Sequence, residues 1–198
     1  ASSTALSVLV SLPAAYALIR MRFPGRDNIR FLILSSRMAL PIAALIAYFR
    51  QFTSIGLMDT HLGLIIAYLS FLLPLATWLL MGFIQQVPVE IEEAAEVDGL
   101  GPLATLRLIT LPLVAPGVAV TSTLCMLFSL NEFLFAAILT SERAKTATVA
   151  VYGFLGQSRL DWEYMTATSL LVSLPVLMMS LAVRKYLVSG LTLGTVKS

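Results

Sequence analysis

Few residues in this chain are equipped for covalent chemistry. His61 is the only histidine and Cys125 the only cysteine. One histidine with no second ligand candidate nearby does not read as a metal site, and no serine and acid stand with it as a relay. A phosphate-binding loop needs Gly-x-x-x-x-Gly-Lys-Ser/Thr between a strand and a helix. The nearest text, Gly190, Gly194, Lys197 and Ser198, has the wrong spacing and sits at the end of the chain. The chain is therefore not read as an enzyme, and no catalytic or metal residue is assigned. The residues that stand out carry charge rather than reactivity. They are Glu93-Ala94-Ala95, Asp98-Gly99, and then Ile109, Leu111 and Pro112, in the longest strongly charged interruption of a very apolar sequence.

These residues need a particular local structure. Pro88 stands where a helix can start, since a first-turn N–H would have no partner anyway. Glu90, Glu92, Glu93 and Glu96 crowd the early helix, where negative charge suits the dipole. Ala94 and Ala95 form helix well and let a partner surface approach the backbone. Gly99 is placed to end the helix in a left-handed conformation. Pro102 can open a second short helix towards Arg107. The pattern predicts helix, tight turn, helix, outside the bilayer, over about 86–108. The bland alternative is an ordinary amphipathic surface helix-turn-helix.

The same residues resemble a family signature. It reads Glu-Ala-Ala, a glycine four residues after the second alanine, and ten residues later an isoleucine followed by x-Leu-Pro. Glu93, Ala94, Ala95, Gly99, Ile109, Leu111 and Pro112 match it in register. That signature is the cytoplasmic coupling loop of the permease subunits of ATP-driven (ABC) importers. The resemblance implies that Glu93, Ala94, Ala95, Asp98, Gly99, Ile109, Leu111 and Pro112 couple the chain to an ATPase. It also implies that ATP and Mg are bound by that partner, with no cofactor in this chain.

Composition sets the class independently. Of 198 residues, 58% are hydrophobic and 12% charged, with mean hydropathy +0.89. A soluble domain is about half apolar and about a quarter charged. The excess predicts an all-α polytopic membrane protein, a single permease domain over 1–198. Apolar runs place spans at about 2–19, 29–49, 62–84, 109–139 and 164–187. Pro13, Pro74 and Pro175 fall inside spans, and Pro112 and Pro116 break the start of the fourth. Asn131-Glu132 marks a turn, followed by a short apolar piece. Cys125 reads as a small core residue, and His61 as a solvated residue at a span edge. A net charge of +2 is too small to argue for nucleic acid.

Orientation follows from the basic residues. The inside set is Arg20, Arg22, Arg26, Arg30, Arg107, Arg184, Lys185 and Lys197; the outside set is Arg50, Arg143, Lys145 and Arg159. This puts the coupling loop and the C-terminus in the cytoplasm and the chain in the inner membrane. Five spans leave the N-terminus outside, so the resemblance also implies that a first family helix precedes this chain.

More of the chain resembles the carbohydrate branch of the family, its maltose-type second permease. Ser129-Leu130-Asn131-Glu132-Phe133 is similar to that branch's Trp-Asn-Glu-Phe stretch, with Leu130 in place of the tryptophan. Asp161-Trp162 with Met165-Thr166-Ala167, Ser35-Ser36-Arg37-Met38 with Pro41, and the tail to Leu191-Thr192 also match it. The resemblance implies a type I importer fold and a heterodimer with a second homologous permease. Two copies of an ATPase subunit and an external substrate-binding protein complete the assembly. The cargo is then a sugar; the alternatives are a sugar alcohol or glycerol-phosphate-type solute in the same machine, or a channel-like membrane protein.

Moving a sugar demands a wet path. Each hydroxyl taken bare into hydrocarbon costs several kcal/mol, so polar residues must line a cavity between helices. Arg37 lies about eight residues into its span, roughly 12 Å at the α-helical rise, and intramembrane charges usually face a cavity. Asn131, Glu132 and Arg37 are the candidate path residues. The competing reading has Asn131 and Glu132 merely capping a broken helix.

Overall fold

The computed structural model describes residues 1–36, 41–153, 163, 165–175, 177–178 and 181. Among these the structure is helical, with no strand. The first helices are α1 (Ser2–Arg20), α2 (Arg26–Ser36), α3 (Pro41–Ile55) and α4 (His61–Ile84). The short α5 (Val89–Val97) and α6 (Pro102–Thr105) precede α7 (Leu111–Asn131), α8 (Leu134–Leu139) and α9 (Ala147–Gly153). A further apolar helical piece covers Met165–Pro175. Arg37, the sequence Asp161-Trp162, the basic pair Arg184-Lys185 and the tail from Ser189 lie outside the described residues.

Three helical stretches among the described residues are long and apolar enough to cross a membrane: Ser2–Arg20, His61–Ile84 and Pro102–Asn131. Where the sequence suggests one span over 29–49, α2 and α3 take up 11 and 15 residues on either side of 37–40.

The third stretch joins α6 to α7 through a π-helical turn, Leu106–Thr110. The amide of Leu111 donates to the carbonyl of Leu106, five residues back. The sequence reading has Pro112 breaking the helix here. Instead the helix continues, and one widened turn next to a residue without an N–H takes up the irregularity. Pro116 lies inside α7 without ending it.

α4 is the central helix, packing most extensively on α1 and next on α7. The α1 face is a row of small residues at four-residue spacing: Ser3, Ser7, Ser11 and Ala15, all buried. Small side chains let helix backbones approach in a membrane, and hydroxyls can bond across the gap. Ser11 Oγ donates to the carbonyl of Leu73 at 3.2 Å, and Thr77 Oγ1 donates to Ser11 Oγ at 3.0 Å.

Two apolar clusters fill the interior. One gathers Phe52, Tyr68, Leu72, Leu75, Phe135 and Leu139, and it contains Cys125. The other gathers Ala15, Tyr16, Leu80, Ile84, Val87, Leu106 and Val114 beneath α5 and α6. Outside the interior, Leu9, Phe31, Leu32 and Ile46 present large apolar side chains to the surroundings, which suits a chain solvated by lipid.

The far end from α5 is held by a loop clasp. Asp59 adopts φ 55°, and Thr60 caps α4 by accepting the amide of Gly63 at 3.0 Å. His61 opens α4 and is exposed. The Asp59 carboxylate accepts the consecutive backbone amides of Ser141, Glu142, Arg143 and Ala144 at 2.8–3.2 Å. Its own amide donates to the carbonyl of Leu139 at 2.9 Å.

Candidate functional site

Pro88 precedes α5 in an extended conformation, and Glu90 and Glu92 lie in the first turn. The far end closes on Gly99, whose φ is +86°. The Gly99 amide donates to the carbonyl of Glu96 and the Leu100 amide to that of Ala95, both at 3.0 Å. This pair of bonds around a left-handed glycine satisfies carbonyls that a bare helix end leaves open. Pro102 then opens α6.

α5 has two faces. Glu92 and Ala95, three residues apart, are buried. Glu93, Ala94, Glu96, Val97, Asp98 and Gly99 are exposed. Of the two alanines read as a close-approach surface, only Ala94 faces outward. Ala95 is turned in, and α5 packs on α6 and the π turn. Val97 on α5 is 88% and Leu103 on α6 75% exposed, so α5 and α6 present large apolar side chains as well as the exposed carboxylates of Glu93, Glu96 and Asp98. Ile109 and Leu111 are half-buried and Pro112 is exposed. The eight residues read as coupling the chain to an ATPase thus divide between outward-facing positions and partly or fully buried ones.

Behind α5 lies an arrangement that the residue types alone do not announce. Arg20, the last residue of α1, places Nε 2.5 Å from Glu92 Oε2. Its Nη2 donates to the carbonyls of Ile84, the last residue of α4, at 3.0 Å and of Val87, in the link to α5, at 2.6 Å. Glu92 Oε1 accepts the hydroxyl of Thr110 at 2.7 Å. The Glu92 side chain is 4% exposed. In the sequence Arg20 reads only as an inside marker and Glu92 as a charge suited to the helix dipole. Helical spacing puts Glu92 on the face of Ala95, but it puts Glu96, four residues on, there as well, so spacing alone does not single Glu92 out as the buried acid. Nearby, Arg30 donates to the carbonyl of Leu18, tying α2 to the same end of α1.

Of the three candidate path residues, the structure describes Asn131 and Glu132. Arg37 lies outside the described residues. Asn131 ends α7, is exposed, and donates Nδ2 to the carbonyl of Leu127 at 2.9 Å. Glu132 breaks the helix in an extended conformation and caps α8. Its carboxylate accepts the amides of Phe135 at 3.0–3.1 Å and Ala136 at 3.4 Å. Tyr68 Oη donates to the Glu132 carbonyl at 3.4 Å, and Thr148 Oγ1 to that of Leu130 at 2.7 Å. Among the described residues no group of three or more His, Cys, Asp or Glu could hold a metal ion.

Comparison with known proteins follows the same lines. The trehalose/maltose transport system permease protein MalG of Thermococcus litoralis is 36% identical over 197 residues, covering 98% of this chain and 70% of that one. The trehalose transport system permease protein SugB of Mycobacterium tuberculosis is 34% identical over 198 residues, covering 98% and 72%. The fold is similar to that of a bacterial ABC transporter involved in alginate import, with TM-score 0.69 and 22% identity over 93% of this chain and 73% of that chain. It is also similar to the MetNI methionine ABC transporter in inward-facing form, with TM-score 0.74 and 16% identity over 93% and 87%. Residues 7–192 match the model of the binding-protein-dependent transport system inner membrane components, and the chain belongs to that family.

Proposed function

We propose that this chain is a transmembrane permease subunit of an ATP-driven importer that moves a sugar across the cytoplasmic membrane by alternating access. The observation that carries the reading is the outward face of α5, set on a family member whose similar relatives are named as trehalose and maltose permeases. A second homologous permease, two copies of an ATPase subunit and an external binding protein complete the proposed assembly. ATP and Mg belong to the ATPase subunit. The α5 end and the C-terminus face the cytoplasm.

Chemistry supports the role given to each part. Glu93, Glu96 and Asp98 suit a partner cleft rimmed by basic residues. Val97 and Leu103 suit an apolar floor, because burying them removes exposed apolar area from water. A push on this face is a push on the helix ends behind it. Asn131 carries both a donor and an acceptor, which fits a sugar hydroxyl.

The test is purification of the complex followed by reconstitution in vesicles with its binding protein. An ATPase and a second permease should copurify. Trehalose, maltose and melibiose are offered beside glycerol 3-phosphate and a sugar alcohol. ATP-dependent accumulation of at least one sugar is expected. Uptake of the phosphate or the alcohol alone would overturn the sugar assignment. Flux without ATP would point to a channel.

A further inference from the structure

We propose that Arg20 and Glu92 form the strut through which movement of α5 reaches α1 and α4, so that Arg20 is a positioning residue for coupling. The inference rests on the reading of this chain as an ATPase-driven permease.

α5 is a short helix whose own packing is against α6 and the π turn. Its outward face would take the load from a partner. Glu92 points the other way and is met by Arg20 Nε at 2.5 Å. Arg20 stands at the end of α1, and its Nη2 donates to the carbonyl of Ile84, the last residue of α4, at 3.0 Å and to that of Val87, just before α5, at 2.6 Å. One guanidinium therefore ties the end of one span, the end of a second, and the loaded helix. Thr110 completes the arrangement, donating to the second Glu92 oxygen at 2.7 Å from the π turn that leads into α7.

Two physical points make this a transmitting contact. First, the carboxylate is buried, and pulling it from its cation would leave a charge without partner in a poorly solvated place. The low-energy response to a displacement of α5 is that the ends of α1 and α4 go with it. Second, a guanidinium is planar with donors in a fixed fork. Its Nη2 bonds to the Ile84 and Val87 carbonyls fix the plane of the group, and the Glu92 carboxylate is held against that plane by charge and distance.

The experiment uses the assembled complex in vesicles, with whichever sugar of the panel above the wild type transports. Arg20→Gln and Glu92→Gln are compared with wild type for uptake and for ATP hydrolysis. We expect complexes that keep their ATPase subunit to lose at least about fivefold in uptake per ATP hydrolysed. Arg20→Lys should keep the charge and recover only part of that ratio. If Gln at either position prevents assembly, Arg20→Lys and Thr110→Val carry the test, each with about a twofold loss. An unchanged ratio, with only the amount of complex reduced, would assign the pair to stability and overturn the strut. Failure of the wild type to bring down an ATPase would instead overturn the permease reading beneath it.

Discussion

The carboxylate of Asp59 accepts the backbone amide of Ser141 at 2.8 Å, across 82 positions of sequence. The amides of Ser141 and Arg143, followed by those of Glu142 and Ala144, hold the Asp59 carboxyl well below the usual carboxylate range. A depressed folded-state value means that ionised Asp59 favours the folded form. Its contribution is complete above the unfolded value of about 3.9 and is lost as pH falls through the region below it. Wild type should therefore melt above Asp59→Asn in detergent by a margin that is constant from about pH 7 to about pH 5. Below about pH 4 the margin should narrow. A margin that does not change with pH would mean that the amides do not read the charge.

Gly99 supports a second expectation. Its φ of +86° is costly for any residue with a Cβ, yet nothing lies within 4 Å of where that Cβ would stand. Strain alone should matter for stability, so Gly99→Ala and Gly99→Leu should cost about the same, roughly 1–2 kcal/mol. Gly99→Asn should cost less, since Asn tolerates this region. Coupling should separate the first two. Leucine adds bulk to the proposed docking face, so sugar-stimulated ATP hydrolysis should fall further with Leu than with Ala. Denaturant melts and ATPase rates of the same preparations check both halves. Equal stimulation in the Ala and Leu complexes would remove Gly99 from the docking face.

What could be read from the residues in advance follows from how local each cause is. The left-handed turn at Gly99 and the helix break after Asn131 are legible because glycine, proline, Asn and Glu act on their own few neighbours. The serine row of α1 is not, since a hydropathy window counts Ser3, Ser7 and Ser11 as interruptions when they are the packing face. Pro112 misleads for a related reason. Proline removes one bond, but whether the helix stops depends on whether a π turn can absorb the loss, and packing decides that. The Arg20–Glu92 pair is the least legible. Each residue has a sufficient local explanation, and nothing local says that the two ends meet.

Asn131 and Glu132 should respond differently to substitution. Glu132 caps α8 through two amides, so Glu132→Ala should destabilise by about 1 kcal/mol. Glu132→Gln keeps an acceptor and should cost less. Asn131 is exposed and, among the described residues, its side chain bonds within its own helix. Asn131→Ala should leave the melting temperature nearly unchanged but raise the sugar concentration needed for half-maximal uptake if the residue lines the path. Loss of assembled complex with unchanged apparent affinity in both variants would leave the pair a structural break and nothing more.

The close approach of α4 and α7 depends on a glycine. A Cβ on Gly117 would stand 2.3 Å from Cγ of Phe83 and 2.6–2.7 Å from both Cδ atoms. Gly117 is buried in α7, and Phe83 packs against the cluster beneath α5. The ring cannot simply swing aside, because the contact is at its root rather than its tip. Gly117→Ala should therefore push the helices apart and cost about 1–3 kcal/mol, despite the better helix propensity of alanine. Phe83→Ala opens the space at the expense of buried area. Adding Gly117→Ala to it should then cost little or nothing, so the double variant should lose less than the sum of the two single losses. Four melts, of wild type, the two single variants and the double, measure the term. Additive losses would show that the two side chains do not compete for the same volume.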